Sequence, residues 1–328
     1  MTDDAAARLR ALAAEVDAAL AALPLPAHPE PLYAPVRYVL AAGGKRVRPA
    51  LTLLVAGAFG GEVAHARAVP AALAVEVFHN FTLVHDDIMD SAATRRGRAT
   101  VHTRWDEPTA ILTGDVMMGL AYRLLDATET DRAADCRTAF HAMVARLCEG
   151  QALDMHFERT PDVSVAQYLD MIDGKTGALL DAALVLGAHV GGATPDAVAA
   201  VSAAGRDLGR AFQIQDDLLD LTADPIAWGK PLGGDLVEGK KTFLLLQALG
   251  RAEGAERTWF ARAASGGLPP SDVEEARVRM ARLGVLDDAE AAVDAYVASG
   301  LEALAAVPDT EDGRTLRTLA ASLAGRSL

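Results

Sequence analysis

Cysteine is nearly absent: Cys136 and Cys148 are the only two among 328 residues, with no CxxC spacing and no neighbouring histidine set. That argues against a disulfide framework or a zinc site and leaves two reduced thiols on a helical stretch. Aromatic residues make up only 5%, and strict apolar/polar alternation is scarce, so there is little material for β-sheet. Long apolar runs are missing too. The uncharged stretches near Pro49 to Gly61 and Ala182 to Gly192 fall short of the roughly 18 residues a membrane-spanning helix needs. Positive charge is in deficit, with 31 Lys and Arg against 45 Asp and Glu and a net charge of −14, which speaks against a nucleic-acid partner, because phosphate backbones select basic surfaces. The amino terminus, Met1-Thr2-Asp3-Asp4 and then an Ala-rich stretch with Arg8 and Arg10, has neither the basic nor the apolar region of a secretory signal. These absences together predict a soluble, cytoplasmic protein with no membrane span.

What the chain does have is 51% hydrophobic residues, enough for a large core, and an excess of Ala, Leu, Glu and Arg, all good helix formers. Breaks fall at Pro24, Pro26 and Pro29, then at Gly43-Gly44, Gly60-Gly61, Pro108, Gly191-Gly192, Gly229 to Gly234 and Gly266-Gly267. They cut the sequence into helix-length pieces and leave no linker. The expectation is an all-α fold, one domain spanning residues 1–328.

One internal echo stands out. Asp86-Asp87-Ile88-Met89-Asp90 and Asp216-Asp217-Leu218-Leu219-Asp220 share the pattern DDxxD, 130 positions apart. On a helix the first and fifth residues stack on one face with the second beside them. The flanks are apolar (Val75, Val77, Phe78, Phe81, Leu83 and Val84 before the first; Ala211, Phe212 and Ile214 before the second), so neither pentad reads as a solvated acidic face. If the two patches converge, repulsion among the carboxylates destabilises the fold unless cations intervene. Oxygen ligands of this kind suit magnesium, which completes its shell with water and substrate phosphates.

Cations answer the aspartates. Gly44-Lys45-Arg46-Val47-Arg48-Pro49 places three after a Gly-Gly turn, where they can gather an anion. Arg95-Arg96-Gly97 follows the first pentad closely, and arginine forks match diphosphate oxygens two at a time. Gly174-Lys175-Thr176-Gly177, Gly229-Lys230 and Gly239-Lys240-Lys241-Thr242 add further lysines, none with P-loop spacing. The combination describes a diphosphate held by metal and by Lys/Arg.

At these residues the chain resembles the trans-type isoprenyl diphosphate synthases, the polyprenyl synthetase family. Seven motifs stand in the family's order: GKRxRP (Gly44 to Pro49), ExxH (Glu76 to His79), DDxxD with RRG (Asp86 to Gly97), GQxLD (Gly150 to Asp154), GKTG (Gly174 to Gly177), FQxxDDxxD (Phe212 to Asp220) and GKxxGxDxxxGKxT (Gly229 to Thr242). The resemblance implies antiparallel helices around a deep central cavity, usually in a homodimer. It implies that Lys45, Arg48, His79 and Arg96 bind isopentenyl diphosphate, and that Arg95, Lys175, Thr176, Gln213, Lys230 and Lys240 hold an allylic diphosphate. Asp86, Asp90 and Asp216 are expected to bind three magnesium ions, with Asp87, Asp217 and Asp220 completing the metal sites by orienting ligands or waters. Asp86, Asp90, Asp216, Lys175 and Lys240 form the implied catalytic set. The amide of Gln213 is left two roles, beside the carbocation or beside the diphosphate.

In the family, residues four and five positions before the first aspartate help set product length; here they are Thr82 and Phe81, with Phe78 one turn further back. One aromatic, one small residue and no insertion within Asp86 to Asp90 resemble the geranylgeranyl pattern, with farnesyl diphosphate as the alternative product. On an ideal helix Phe81 points about 140° away from Asp86, so its role rests on the resemblance. A class I terpene cyclase shares the first aspartate motif but not the second, and a non-catalytic synthase subunit loses aspartates that are all present here. One departure is Phe243, where the family often has proline after Thr242; it is expected to alter a helix start.

Overall fold

A computed structural model describes residues 3–224 and 232–322. Helices begin and end largely where the sequence is punctuated. α1 (Asp3–Ala21) stops before the proline-rich segment and α2 (Glu30–Leu40) before Gly43-Gly44. α3 (Val47–Met89) ends in the first aspartate motif. The break expected at Gly60-Gly61 is a kink: Gly61 takes φ 66° and ψ −162°, and helix continues on both sides. After α4 (Val101–Arg104), Pro108 starts a helix and does not end one. It sits in the first turn of α5 (Glu107–Asp126), where a missing N–H costs nothing, and the Asp106 side chain caps that turn by accepting from the Thr109 N–H at 2.8 Å.

A small hairpin departs from the all-helical expectation. β1 (Thr94–Arg95) pairs antiparallel with β2 (Arg98–Ala99) around Arg96-Gly97. Both turn residues have positive φ, 52° and 71°, the combination of a type I′ turn. Two-residue strands around Arg-Gly are too faint a pattern to read among helix formers.

The chain continues through α6 (Ala133–Arg159), α7 (Val165–Ile172), a π-helical turn (Asp173–Gly177), α8 (Ala178–Val190) and α9 (Pro195–Thr222), which ends in the second aspartate motif. Then follow α10 (Gly234–Glu238), α11 (Phe243–Arg251), α12 (Gly254–Gly266), α13 (Val273–Arg282), α14 (Val285–Ala303) and α15 (Glu311–Ala321). These elements group into two units: Met1–His141, Ala182–Val201 and Ala306–Thr318 form unit 1; Ala142–Asp181, Ser202–Ala305 and Leu319–Leu328 form unit 2.

α3 is the core of unit 1, with Leu53, Leu54, Val55, Val75, Val77 and Phe78 all buried. By length and composition it could cross a membrane, yet 61% of its most apolar stretch is buried inside the protein, which makes it a core helix. The Thr52 hydroxyl ties it to α8 by donating to the Ala183 carbonyl at 2.9 Å. In unit 2, Leu208, Ile214, Leu244, Leu245, Phe260 and Met280 supply the buried centre. A capping box starts α7: Ser164 accepts from the Gln167 N–H, and the Gln167 side chain accepts from the Ser164 N–H.

Candidate active site

In unit 1 the last turns of α3 put Asp86 and Asp90 on one face, the first half-buried and the second exposed. Asp87 is buried on the neighbouring face and accepts from Arg95 Nε at 2.7 Å. Burial pushes the Asp87 carboxyl up, while the hydrogen bond and charge of Arg95 oppose the shift.

The three cations of the Gly44 to Pro49 turn part company. Arg46, with φ 49° at the N-cap of α3, turns inward and is only 4% exposed. Its guanidinium meets Glu76, Asp17 at 2.8 Å and the Leu40 carbonyl. Glu76 is steadied in turn by Asn80 Nδ2 at 3.0 Å. The glutamate of ExxH therefore anchors the basic turn, and Arg46 gathers no external anion.

Arg48 and His79 come together instead, Nη1 to Nε2 at 3.4 Å. Burial pushes the His79 imidazole well below its usual range, and the charges of Arg48, Arg96, Arg95 and Arg46 push the same way, so the ring is neutral near pH 7. Burial also lowers Arg48, against the pull of Glu76 and with Arg96 adding to it. The Arg48 Nε is buried with no hydrogen-bond partner among the described residues. Arg96, at the hairpin turn, donates to the Gly43 carbonyl, and Lys45 is exposed at the start of the basic turn. Positive charge thus gathers around the Arg48–His79 pair.

Phe81 meets Phe78 and His85 edge to face, with ring centroids 5.0 and 4.9 Å apart. Phe78 is fully buried and meets Phe140 at 5.3 Å. Phe81 thus shares a face of α3 with Phe78 and His85 and not with Asp86, while the Thr82 hydroxyl donates back to the His79 carbonyl at 2.8 Å.

In unit 2 two motif glycines let α6 and the π turn touch through backbone: a Cβ on Gly150 would lie 2.2 Å from the Lys175 nitrogen, and one on Gly174 2.6 Å from the Arg146 carbonyl oxygen. The contact presents Lys175, whose Nζ meets Asp154 Oδ2 at 2.5 Å, and Thr176, whose hydroxyl donates to Gln213 Oε1 at 3.0 Å. Arg210 of α9 pins the turn through a two-pronged pair with Asp173 at 2.7 and 2.6 Å. Single π turns of this kind recur at functional sites.

The second aspartate motif is wired internally. Gln213 Nε2 donates to Asp217 Oδ1 at 3.1 Å, so its amide links Thr176 to Asp217. Asp217 Oδ2 accepts the Tyr168 hydroxyl at 2.6 Å and the Phe243 N–H at 3.0 Å. Burial pushes the Asp217 carboxyl up to about 7, with Asp235 adding, against the hydrogen bonds from Tyr168, Phe243 and Gln213. Asp220 accepts from the Asp235 N–H at 3.1 Å, Asp216 is half-buried, and Lys240 pairs with Glu238 at 2.7 Å and Asp235 at 3.8 Å. Lys230 lies outside the described residues. Sequence reasoning missed Tyr168, Arg210 and Asp173; the nearest signal was their closeness to the GKTG and FQxxDDxxD motifs.

Among the described residues no three His, Cys, Asp or Glu side chains form a ready-made metal cage. Magnesium seldom asks for one, since it binds through one or two carboxylates and keeps its other positions for water and substrate phosphate. Paired aspartates, the first set with Arg95 against Asp87, fit an ion that arrives with a diphosphate.

Residues 29–277 match the model of the polyprenyl synthetase family. A geranylgeranyl diphosphate synthase of Methanosarcina mazei is 39% identical over 308 residues, covering 93% of either chain. Among solved structures, geranylgeranyl pyrophosphate synthetase from Pyrococcus horikoshii Ot3 superposes with a TM-score of 0.92 over 98% of both chains, at 36% identity. A polyprenyl synthase from Caulobacter crescentus CB15, complexed with calcium and isoprenyl diphosphate, does so with 0.86 over 98% of both, at 30% identity. With its helical fold, its ordered motifs and these matches along most of its length, the chain belongs to the polyprenyl synthetase family.

Proposed function

We propose that the protein is a magnesium-dependent trans-prenyltransferase, a short-chain polyprenyl diphosphate synthase that condenses isopentenyl diphosphate with an allylic diphosphate, head to tail, to geranylgeranyl diphosphate. The observation that carries this reading is the half-buried pair of Arg48 and His79, 3.4 Å apart, with the charge of Arg96 acting on both and the buried Arg48 Nε left without a hydrogen-bond partner among the described residues. Lys45, Arg48, His79 and Arg96 hold the isopentenyl diphosphate. Arg95, Lys175, Thr176, Gln213, Lys230 and Lys240 hold the allylic diphosphate. Asp86, Asp90 and Asp216 are the ligands for three magnesium ions, and Asp87, Asp217 and Asp220, committed to internal partners, hold the other carboxylates in place.

Bound magnesium supplies the charge that neutralises the departing diphosphate and lowers the barrier to breaking the allylic C–O bond. Lysine and arginine share that neutralisation, and fixed donors of this kind act most strongly where water is excluded. The aromatic face of Phe81 and Phe78 offers no nucleophile to quench the allylic cation. The isopentenyl double bond attacks that cation, and the released diphosphate takes the final proton, so no side chain needs a pKa near neutrality for the step. Phe81 closes the product pocket, which favours a C20 chain over a C15 one.

The protein works as a cytoplasmic homodimer in this reading, supported by the burial of α3 and by Ile111 and Leu112 of α5, which are 42% and 58% exposed. The test is to incubate purified protein with magnesium, isopentenyl diphosphate and, separately, dimethylallyl, geranyl and farnesyl diphosphates, and to chromatograph the dephosphorylated products. A C20 alcohol from all three primers supports the reading; a C15 or C25 stop keeps the chemistry and overturns the pocket assignment; no elongation overturns both.

A further inference from the structure

We propose that Tyr38 is a positioning residue for the diphosphate-binding arginines: from α2 it holds the hairpin that carries Arg95 and Arg96. The inference rests on the roles given to those arginines above. A two-residue ladder does not hold a hairpin in place by itself, and Arg96 occupies a left-handed backbone conformation, φ 52°, that disfavours any residue with a Cβ. The hairpin must therefore take its order from what surrounds it.

Arg95 of β1 is tied to Asp87 of α3, the Thr100 hydroxyl donates to the Ala92 carbonyl at 2.8 Å, and Tyr38 holds β2. The Tyr38 hydroxyl donates to the Ala99 carbonyl of β2 at 2.8 Å. The Arg98 guanidinium of β2 lies 3.9 Å from the centre of the Tyr38 ring, and that of Arg104 on α4 lies 4.4 Å from it. Trp105 meets the ring edge on, 5.3 Å away at 74°, and carries Arg104 against its own face at 4.8 Å. At the other end of the hairpin Arg96 donates to the Gly43 carbonyl, just beyond α2. The root and tip of the hairpin are thus both fastened to α2 and its following turn. A small cavity lined by Tyr38, Asn80, Asp87, Arg95 and Thr100 adjoins the hairpin. Cation–π contacts add to the hydrogen bond in holding β2.

Four variants test this: Tyr38→Leu, Tyr38→Phe, Arg96→Gln and the Tyr38→Leu/Arg96→Gln double. Tyr38→Leu is expected to raise the KM for isopentenyl diphosphate by roughly fivefold to tenfold with little change in kcat. Tyr38→Phe, which keeps the ring, recovers most of that loss. Because Tyr38 acts through Arg96, adding Tyr38→Leu to Arg96→Gln raises KM little further. Hydrogen exchange of the amides at 93–100 is expected to quicken in Tyr38→Leu while the α3 core stays protected. Full additivity in the double variant, or unchanged exchange in the hairpin, would overturn the proposal. If the wild-type protein itself elongates no primer, the prenyltransferase reading fails, and the exchange measurement alone decides whether Tyr38 holds the hairpin.

Discussion

Tyr168→Phe removes one oxygen and tests whether the second aspartate motif is organised from behind. The Tyr168 hydroxyl and Asp217 are 2% and 4% exposed as residues, and the bond between them is 2.6 Å long. Above about pH 8, where the Asp217 carboxyl is ionised, a hydrogen bond to a charged group is worth about 1.5–3 kcal/mol. Asp217 keeps two donors, the Phe243 N–H at 3.0 Å and Gln213 at 3.1 Å, so the loss belongs in the middle of that range, about 2 kcal/mol. That is roughly thirtyfold in the unfolding equilibrium and about 3 °C in melting temperature for a chain of 328 residues. A functional signature accompanies it. Asp217 Oδ1 holds Gln213 and Gln213 holds Thr176, so a loosened Asp217 raises the KM for the allylic substrate, while the Arg48–His79 group in unit 1 keeps the KM for isopentenyl diphosphate. Urea unfolding and thermal melts without metal give the first number, and steady-state kinetics with each substrate varied give the second. A variant that melts within about 1 °C of wild type with an unchanged allylic KM would refute the wiring.

Phe81→Ala is expected to lengthen the product beyond C20, because the next wall, Phe78, stands one helical turn further back; chromatography of the chain-length distribution checks it, and an unchanged product takes Phe81 out of the pocket. Asp181→Asn addresses pH. Burial pushes the Asp181 carboxyl from 3.8 up to about 6, against its hydrogen bond with Ser202 and the charge of Arg206. The folded state holds that proton more tightly than the unfolded one, so stability present below about pH 4 is lost as pH rises through about 6. The variant should match wild type at pH 4 and exceed it by about 2 kcal/mol at pH 8, measured by urea unfolding; a pH-independent difference argues against the burial cost. Gly150→Ala places a methyl 2.2 Å from the Lys175 nitrogen and should cost about 1–3 kcal/mol along with allylic binding, read from melts and KM; normal behaviour means that α6 and the π turn do not need the contact. Leu112→Lys puts a charge on the exposed apolar face of α5 and should shift the protein toward monomer in light scattering, with unchanged mass telling against α5 as the contact.

Much of this was legible in the sequence because helices announce themselves locally. Gly43-Gly44, Gly191-Gly192 and Gly266 end helices as read, and the aspartate pentads fall on helices as their spacing requires. Pro108 misled because proline ends one helix as readily as it begins the next. What stayed hidden depends on partners far apart along the chain. Nothing around Arg46 says that it will turn inward to Glu76, 30 residues on, when its neighbour Arg48 does not. Asp217 looks like a third equivalent carboxylate until Tyr168, 49 positions earlier, is found against it. The hairpin escaped for a different reason: its turn relies on an arginine in a glycine-like conformation, held by contacts with α2 that no short window contains.

Phe243 carries a consequence for anyone recombining this enzyme with its relatives. At the first position of α11 the proline often found in the family would fit the backbone, since its missing N–H has no helical partner to lose there. Here that N–H is in use, donated to Asp217 from a helix whose start is capped by Thr242. A transplanted α11 beginning with proline would keep the helix and remove a donor from the aspartate motif. α9 and α11 therefore form one exchangeable module, and chimeras should cross over outside the pair.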